Sequence, residues 1–143
     1  MARTLKACAF AALVLALSSC ARKPEYPAAP SSGDEIRFSI STLREETPVF
    51  YSLEHEGTRI DYLLVKVNGR VESYFDACAK CYPKKLGYRV EDKHLVCVAC
   101  GERYSMHNLK GAGSCYPLPL EGKTEGDTYV IEKADIINGQ RYF

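Results

Sequence analysis

Residues 78–115 read CAKCYPKKLGYRVEDKHLVCVACGERYSMHNLKGAGSC, with two Cys-x-x-Cys pairs, Cys78/Cys81 and Cys97/Cys100, on either side of a segment with hairpin character. In a Cys-x-x-Cys turn both thiolates can converge on one point. Two such turns on neighbouring hairpin tips present sulfurs tetrahedrally, a donor set that suits Zn²⁺ or iron, the latter alone or as a cluster. One pair alone would carry little weight. Two at this separation point to a metal site and leave the metal open. The same residues can instead pair as disulfides if the protein is exported. An odd fifth cysteine, Cys115, does not fit simple pairing.

The start of the chain reads as an export signal. MARTLKACAFAALVLALSSC opens with Arg3 and Lys6, continues with the apolar run Ala7 to Leu17 and ends on Leu17-Ser18-Ser19-Cys20. A basic stretch followed by a short apolar one is a signal peptide, residues 1–19, too short to span a bilayer as a helix. Its end resembles a bacterial lipobox, whose cysteine is acylated and becomes the new N-terminus. The competing reading is an ordinary signal-peptidase site with Cys20 a stray thiol. Cys8 leaves with the signal peptide in both. Several acyl chains on Cys20 anchor stably where one is marginal, so membrane lipid is the first expected partner. Ala21 is not the aspartate of an inner-membrane retention signal. The expected location is therefore lipid-anchored on the periplasmic side of a bacterial membrane, the outer membrane if the host is Gram-negative. Residues 20–35, rich in Pro, Ala and Ser with Pro24, Pro27 and Pro30, read as a tether.

Residues 36–143 are one domain by length. With a formal net charge of +1, the chain suggests no nucleic-acid partner. The pattern is mostly β. Ile36, Phe38 and Ile40 alternate on one face of a strand; Ser41 to Glu46 reads as a short helical turn capped by Ser41 or Thr42; Val49 to Leu53 is a strand. Arg59 to Val67 and Arg70 to Phe75 flank Asn68-Gly69, a type I′ hairpin signal, and the second strand leads into Cys78. Tyr88 to Val90 and His94 to Val96 form another hairpin, which leads into Cys97. Gly101 after Cys100 allows positive φ, so that amides can point at the sulfurs and offset thiolate charge. The first knuckle carries Tyr82-Pro83 there. Arg103 to Ser105 and Thr128 to Glu132 read as strands, Gly111 to Cys115 as a flexible loop able to cover the metal, Tyr116 to Pro119 as stiff, and Asp135 to Gln140 as a turn with Asn138-Gly139 at its tip. Phe143 reads as a core plug.

Hydrolytic chemistry has no support: no Ser/His/Asp set, phosphate loop or paired catalytic carboxylates stand in a motif. His55, His94 and His107 lack ligand spacing and read as solvated or hydrogen-bonded. The ten tyrosines, set against no tryptophan, read as packing. Lys80, Lys84, Lys85, Arg89 and Lys93 form a solvated face, a docking patch for an acidic redox partner, or compensation for an anionic cluster.

Residues 36–143 also resemble the FtrD-like domain of membrane-associated iron–sulfur proteins. The resemblance lies in Ile36 to Ile40, Phe50-Tyr51, the run to Asn68-Gly69, Phe75-Asp76-Ala77-Cys78, Cys81-Tyr82, Gly87-Tyr88-Arg89, Val96-Cys97, Ala99-Cys100-Gly101 and Tyr116 to Leu120. The family's Gly-Gly-Cys-Asn-Pro run stands here as Gly113-Ser114-Cys115-Tyr116-Pro117. The outline is similar to a Rieske domain too, with cysteine at Cys81 and Cys100 where histidines would stand. An all-thiolate cluster is more negative, so its expected potential lies below that of a Rieske centre. The resemblance implies a small antiparallel β domain of Rieske-like or rubredoxin-like kind, with its two knuckles on hairpins. It implies an iron–sulfur cluster or iron on Cys78, Cys81, Cys97 and Cys100, with Cys115 a possible additional metal or redox residue. The implied role is electron transfer or iron handling linked to bacterial iron uptake, with a periplasmic or membrane redox or iron-transport partner, and an accessory protein rather than a catalyst. The alternative is a structural zinc module that binds a partner protein.

Overall fold

A computed structural model of the chain describes residues 23–110 and 113–143. The signal peptide, Cys8, Cys20, Ala21 and Gly111 lie outside the described residues.

Among the described residues, eleven strands and one short α-helix follow in chain order: β1 (Ser31–Ser32), β2 (Glu35–Ser39), β3 (Val49–His55), β4 (Thr58–Val67), β5 (Arg70–Cys78), β6 (Tyr88–Glu91), β7 (His94–Cys97), β8 (Arg103–Ser105), β9 (Pro117–Leu120), β10 (Lys123–Glu125), β11 (Thr128–Glu132) and α1 (Lys133–Asn138). They make antiparallel sheets of order β1-β2-β11-β10, β3-β4-β5-β9 and β6-β7-β8. The fold class is thus mostly antiparallel β, as the patterning indicates.

β4 explains how the sheets stack. Successive side chains of a strand point to opposite faces. Ile60, Tyr62 and Leu64 pack with Ile36, Phe38 and Ile131 of the β2–β11 sheet. Leu63 and Val65 pack on the other face with Leu95 and Tyr104 of the β6–β8 sheet and with Met106, which directly follows β8. A strand covered on both sides loses its polar alternation, which accounts for the apolar run Leu63-Leu64-Val65. The β3–β4–β5–β9 sheet is therefore the middle layer, and the knuckles belong to the core on one of its faces.

The local hairpin signals hold. Asn68 and Gly69 have φ of 52° and 74°, the paired positive values of a type I′ turn, and Asp92 and Lys93 (45° and 60°) turn β6 into β7 in the same way. The stretch after Ile36 forms a 3₁₀ turn, Ile40–Thr42, with Ser39 at its N-cap position; Ser41 and Thr42 lie inside it.

Two expectations are corrected. Asp135 to Gln140 is not a turn with Gly139 at its tip. It is the end of α1 followed by a 3₁₀ turn, Gln140–Tyr142, and Gly139 has φ −85°. Glycine is needed there because a Cβ would run into the Phe75 ring. The Pro-rich stretch before Ile36 does not stand off the domain in its described part. Pro24 and Pro27 carbonyls accept from Arg59 and the Ser52 amide, the Tyr26 carbonyl accepts from Ser52 Oγ, and the Tyr26 ring stacks on Phe50 at 4.8 Å. Prolines leave carbonyls free to accept, so a segment too polar to build a core still docks along one. Phe143 packs against Phe75, as its terminal position suggested.

Candidate metal centre

Each cysteine is delivered by pairing that the sequence encodes. Cys78 ends β5 and Cys97 ends β7. After Cys78 the chain turns at once into a 3₁₀ helix, Tyr82–Lys84, with Cys81 at its N-cap position, and Lys85 closes it at φ 53°. After Cys97 it folds back: the Gly101 amide donates to the Cys97 carbonyl at 2.8 Å, and the Cys97 amide to the Glu102 carbonyl at 2.9 Å. Gly101 has φ 79°, the left-handed value the sequence calls for. Its own N–H thus closes the knuckle rather than reaching a sulfur. Cys115 arrives by register. Pro117 of β9 lies opposite Cys78, and the Ala79 amide donates to the Tyr116 carbonyl at 3.0 Å.

All five cysteines of the described residues are free thiols. Their Sγ atoms form two overlapping triads, Cys78–Cys81–Cys97 and Cys81–Cys100–Cys115, each with all sulfurs within 4.8 Å of one another. Cys81 belongs to both. Cys100 thus groups with Cys115 and Cys81 as well as with its own knuckle partner Cys97, and Cys115 stands inside the cluster. Cys78, Cys97 and Cys115 are buried, Cys81 is half-buried and Cys100 is exposed.

The electrostatics of the thiols are uneven. Burial works to raise Cys78, but the Cys81 and Lys80 amides and the Cys115 and Cys81 thiols outweigh it and hold it below the ordinary thiol value. The Cys81 amide lies 3.2 Å from Cys78 Sγ. For Cys100, too, burial is the largest influence and raises it, but donors from Cys115, the Glu102 amide, Cys97 and Cys81 bring it down. Burial pushes Cys97 up to about 11, and burial with the surrounding thiols pushes Cys81 up. Crowded thiols give up their first protons readily and hold the rest. A cation in their midst removes that conflict, since metals bind thiolates and release protons.

Three further residues lock the geometry, and none was singled out from motif spacing. Tyr88 lies opposite Cys97 in the β6–β7 register. Its backbone N–H donates to Asp76 Oδ1 at 2.7 Å, and its hydroxyl donates to the Cys115 carbonyl. Asp76 stands two residues before Cys78 on the same face of β5. One tyrosine therefore ties β5, the second knuckle and the Cys115 loop together. Gly87 makes room: it has φ 62°, and a Cβ there would lie 2.5 Å from the Asp76 carboxylate. The signal available in the sequence was the Gly-Tyr pair twelve residues beyond an aspartate that leads into the first knuckle, and nothing local connects the two.

The histidines have other partners. His94 Nδ1 lies 2.8 Å from the Asp92 carbonyl, and His107 Nε2 lies 2.8 Å from Glu46 Oε1. The basic cluster divides: Lys93 pairs with Glu46 and Arg89 with Glu91, while Lys80, Lys84 and Lys85 are exposed beside the first knuckle. Among the described residues no helix is long and apolar enough to cross a membrane.

The residues present fit a thiolate-bound metal. Five sulfurs converge, three of them buried, and backbone amides donate to the sulfurs of both knuckles. Soft thiolates with amide donors are the usual environment of iron–sulfur clusters and tetrahedral iron or zinc. No curated protein matches the chain. A family model described as "Membrane iron-sulfur containing protein FtrD-like" matches residues 43–143, the span that holds every cysteine of the cluster. The chain belongs to the FtrD-like family of membrane iron–sulfur proteins.

Proposed function

We propose that the protein carries iron, most simply as a cluster, on Cys78, Cys81, Cys97 and Cys100 with Cys115 beside it. It would serve electron transfer or iron handling linked to bacterial iron uptake while held by a lipid on Cys20 at the periplasmic side of the membrane. The observation that carries this reading is the gradient of exposure across the five converging thiols, with Cys100 exposed and Cys78, Cys97 and Cys115 buried. Family membership supports an iron-related role at a membrane.

Iron held on these sulfurs supplies one-electron chemistry. The chain's own residues set its conditions. Burial of Cys78, Cys97 and Cys115 keeps water from one side. Amides of the two knuckles offset thiolate charge, which tunes potential. Cys100, exposed and followed by exposed Gly101 and Glu102, offers a partner the shortest approach. The exposed lysines Lys80, Lys84 and Lys85 suit a partner with an acidic docking face. The test is metal and acid-labile sulfide analysis of protein purified without oxygen. Iron in excess of zinc supports the reading; stoichiometric zinc without iron overturns it in favour of a structural module.

A further inference from the structure

Asp61 and Asp76 present an electrostatic problem within the middle sheet. Tyr62 of β4 pairs with Phe75 of β5, so the next residues outward, Asp61 and Asp76, face each other across the two strands. Their side chains are 2% and 0% exposed. Like charges in cross-strand positions repel, and burial removes the water that would screen them. The solution comes from the segment before the domain. Lys23 Nζ lies 3.0 Å from Asp61 Oδ2, 2.9 Å from Asp76 Oδ2 and 3.1 Å from the Asp76 carbonyl. An ammonium has three N–H donors, and here it meets three oxygens. The Phe143 ring, 5.0 Å away, covers it further, and the lysine side chain is only 12% exposed.

The two carboxylates do not depend on Lys23 equally. Asp61 also holds Arg59, whose Nε lies 3.1 Å from Oδ1. On Asp76, Lys23 meets Oδ2, the Tyr88 amide donates to Oδ1, and the Tyr26 hydroxyl reaches the same carboxylate, but no second cation does among the described residues. Among the described residues, Lys23 is therefore the one cation on the carboxylate that joins β5 to the second knuckle.

We propose that Lys23 is a positioning residue for the metal centre: docked on Asp76, it holds the Asp76–Tyr88 link that sets the two cysteine knuckles against each other. The segment before the domain then acts as a strap whose fastening is felt at the thiols. Removing the ammonium leaves the buried Asp76 carboxyl without its cation. The carboxylate would turn toward water, the Tyr88 amide would lose its acceptor, and the knuckles would move apart. The coupling to the metal rests on the function proposed above; the link between Lys23 and Tyr88 does not.

Two readouts on the full chain separate these layers. In the metal-free protein, Lys23→Met should speed hydrogen exchange of the Tyr88 amide on the order of a hundredfold, as loss of one partner of a buried pair implies. In protein loaded with Co²⁺, followed by its thiolate absorbance, the same variant should lose metal to EDTA roughly tenfold faster, in line with loss of an outer-shell partner. Lys23→Arg should keep both near the parent values. Lys23→Met with Asp76→Asn should restore both, because asparagine is neutral and still accepts from Tyr88. Should Lys23→Met alone not fold, the arginine and double variants carry the comparison, and a double variant that leaks cobalt faster than the parent overturns the proposal. Unchanged Tyr88 exchange in Lys23→Met overturns it as well, as does faster exchange with unchanged cobalt loss. A parent chain that takes up no cobalt overturns the metal-site reading and the positioning role with it.

Discussion

Cys81 Sγ and Cys115 Sγ lie 3.8 Å apart although 34 residues separate them in the chain. The contact is fixed from a distance, by the pairing of Pro117 with Cys78 and by the Tyr88 hydroxyl on the Cys115 carbonyl. Cys115 is buried, so it is shielded from the bulk and reaches only the centre. The expected outcome for Cys115→Ser is a protein that keeps its metal with an altered spectrum, potential or sensitivity to oxygen. Complete metal loss in that variant would make Cys115 an obligatory ligand; no change in any of these would reduce it to packing.

The overlap of the two triads ranks the other cysteines. Cys81→Ser removes a sulfur from both, so it should lower metal affinity most, by more than the roughly 10- to 100-fold that loss of an outer-shell partner costs. Cys78→Ser and Cys97→Ser remove buried thiols and should lower affinity and thermal stability together. Cys100→Ser removes an exposed one and should lower affinity with a smaller loss of stability. Competition with a chromophoric chelator and thermal denaturation of the same samples check the order, and equal effects at all positions would contradict it.

Gly87 tests the link between the knuckles. Alanine there meets an unfavourable left-handed backbone and a carboxylate 2.5 Å from its Cβ. Together these should cost about 2–4 kcal/mol of stability. Chemical denaturation of the metal-free chain measures it directly. Gly57 has a positive φ of 77° with nothing within 4 Å of a Cβ, so Gly57→Ala should cost only about 1–2 kcal/mol. A Gly87 variant no worse than the Gly57 variant would remove the steric role of Asp76.

What could be read from the sequence follows the range of the interactions. Asn68-Gly69 and Glu91-Asp92-Lys93 announce hairpins because a turn is decided by adjacent residues, and those hairpins aim the chain at Cys78 and Cys97. β9 could not be read as a strand. Pro117 and Pro119 lack the N–H of a ladder, and only an edge position beside β5 tolerates them. That edge is what carries Cys115 into the cluster. The Asp76–Tyr88 contact and the docking of Lys23 join residues far apart in sequence, and the polar, Pro-rich composition around Lys23 gives no apolar pattern to reveal it. α1 is six residues long, too short for helical periodicity to stand out against the Asn138-Gly139 turn signal.

The anchor is tested at Cys20. Cys20→Ser should release the protein from the membrane fraction or block its maturation, and fractionation with labelled palmitate detects either outcome. A variant that is processed normally and stays with the membrane would contradict lipidation there.

The central claim is that these thiols hold redox-active iron, and a spectroelectrochemical titration of protein purified without oxygen tests it most directly. The expected result is visible absorbance that bleaches on reduction and returns on oxidation, with a midpoint below the Rieske range of roughly −150 to +300 mV. A colourless protein that holds one tightly bound Zn²⁺ and shows no change across that titration would contradict it.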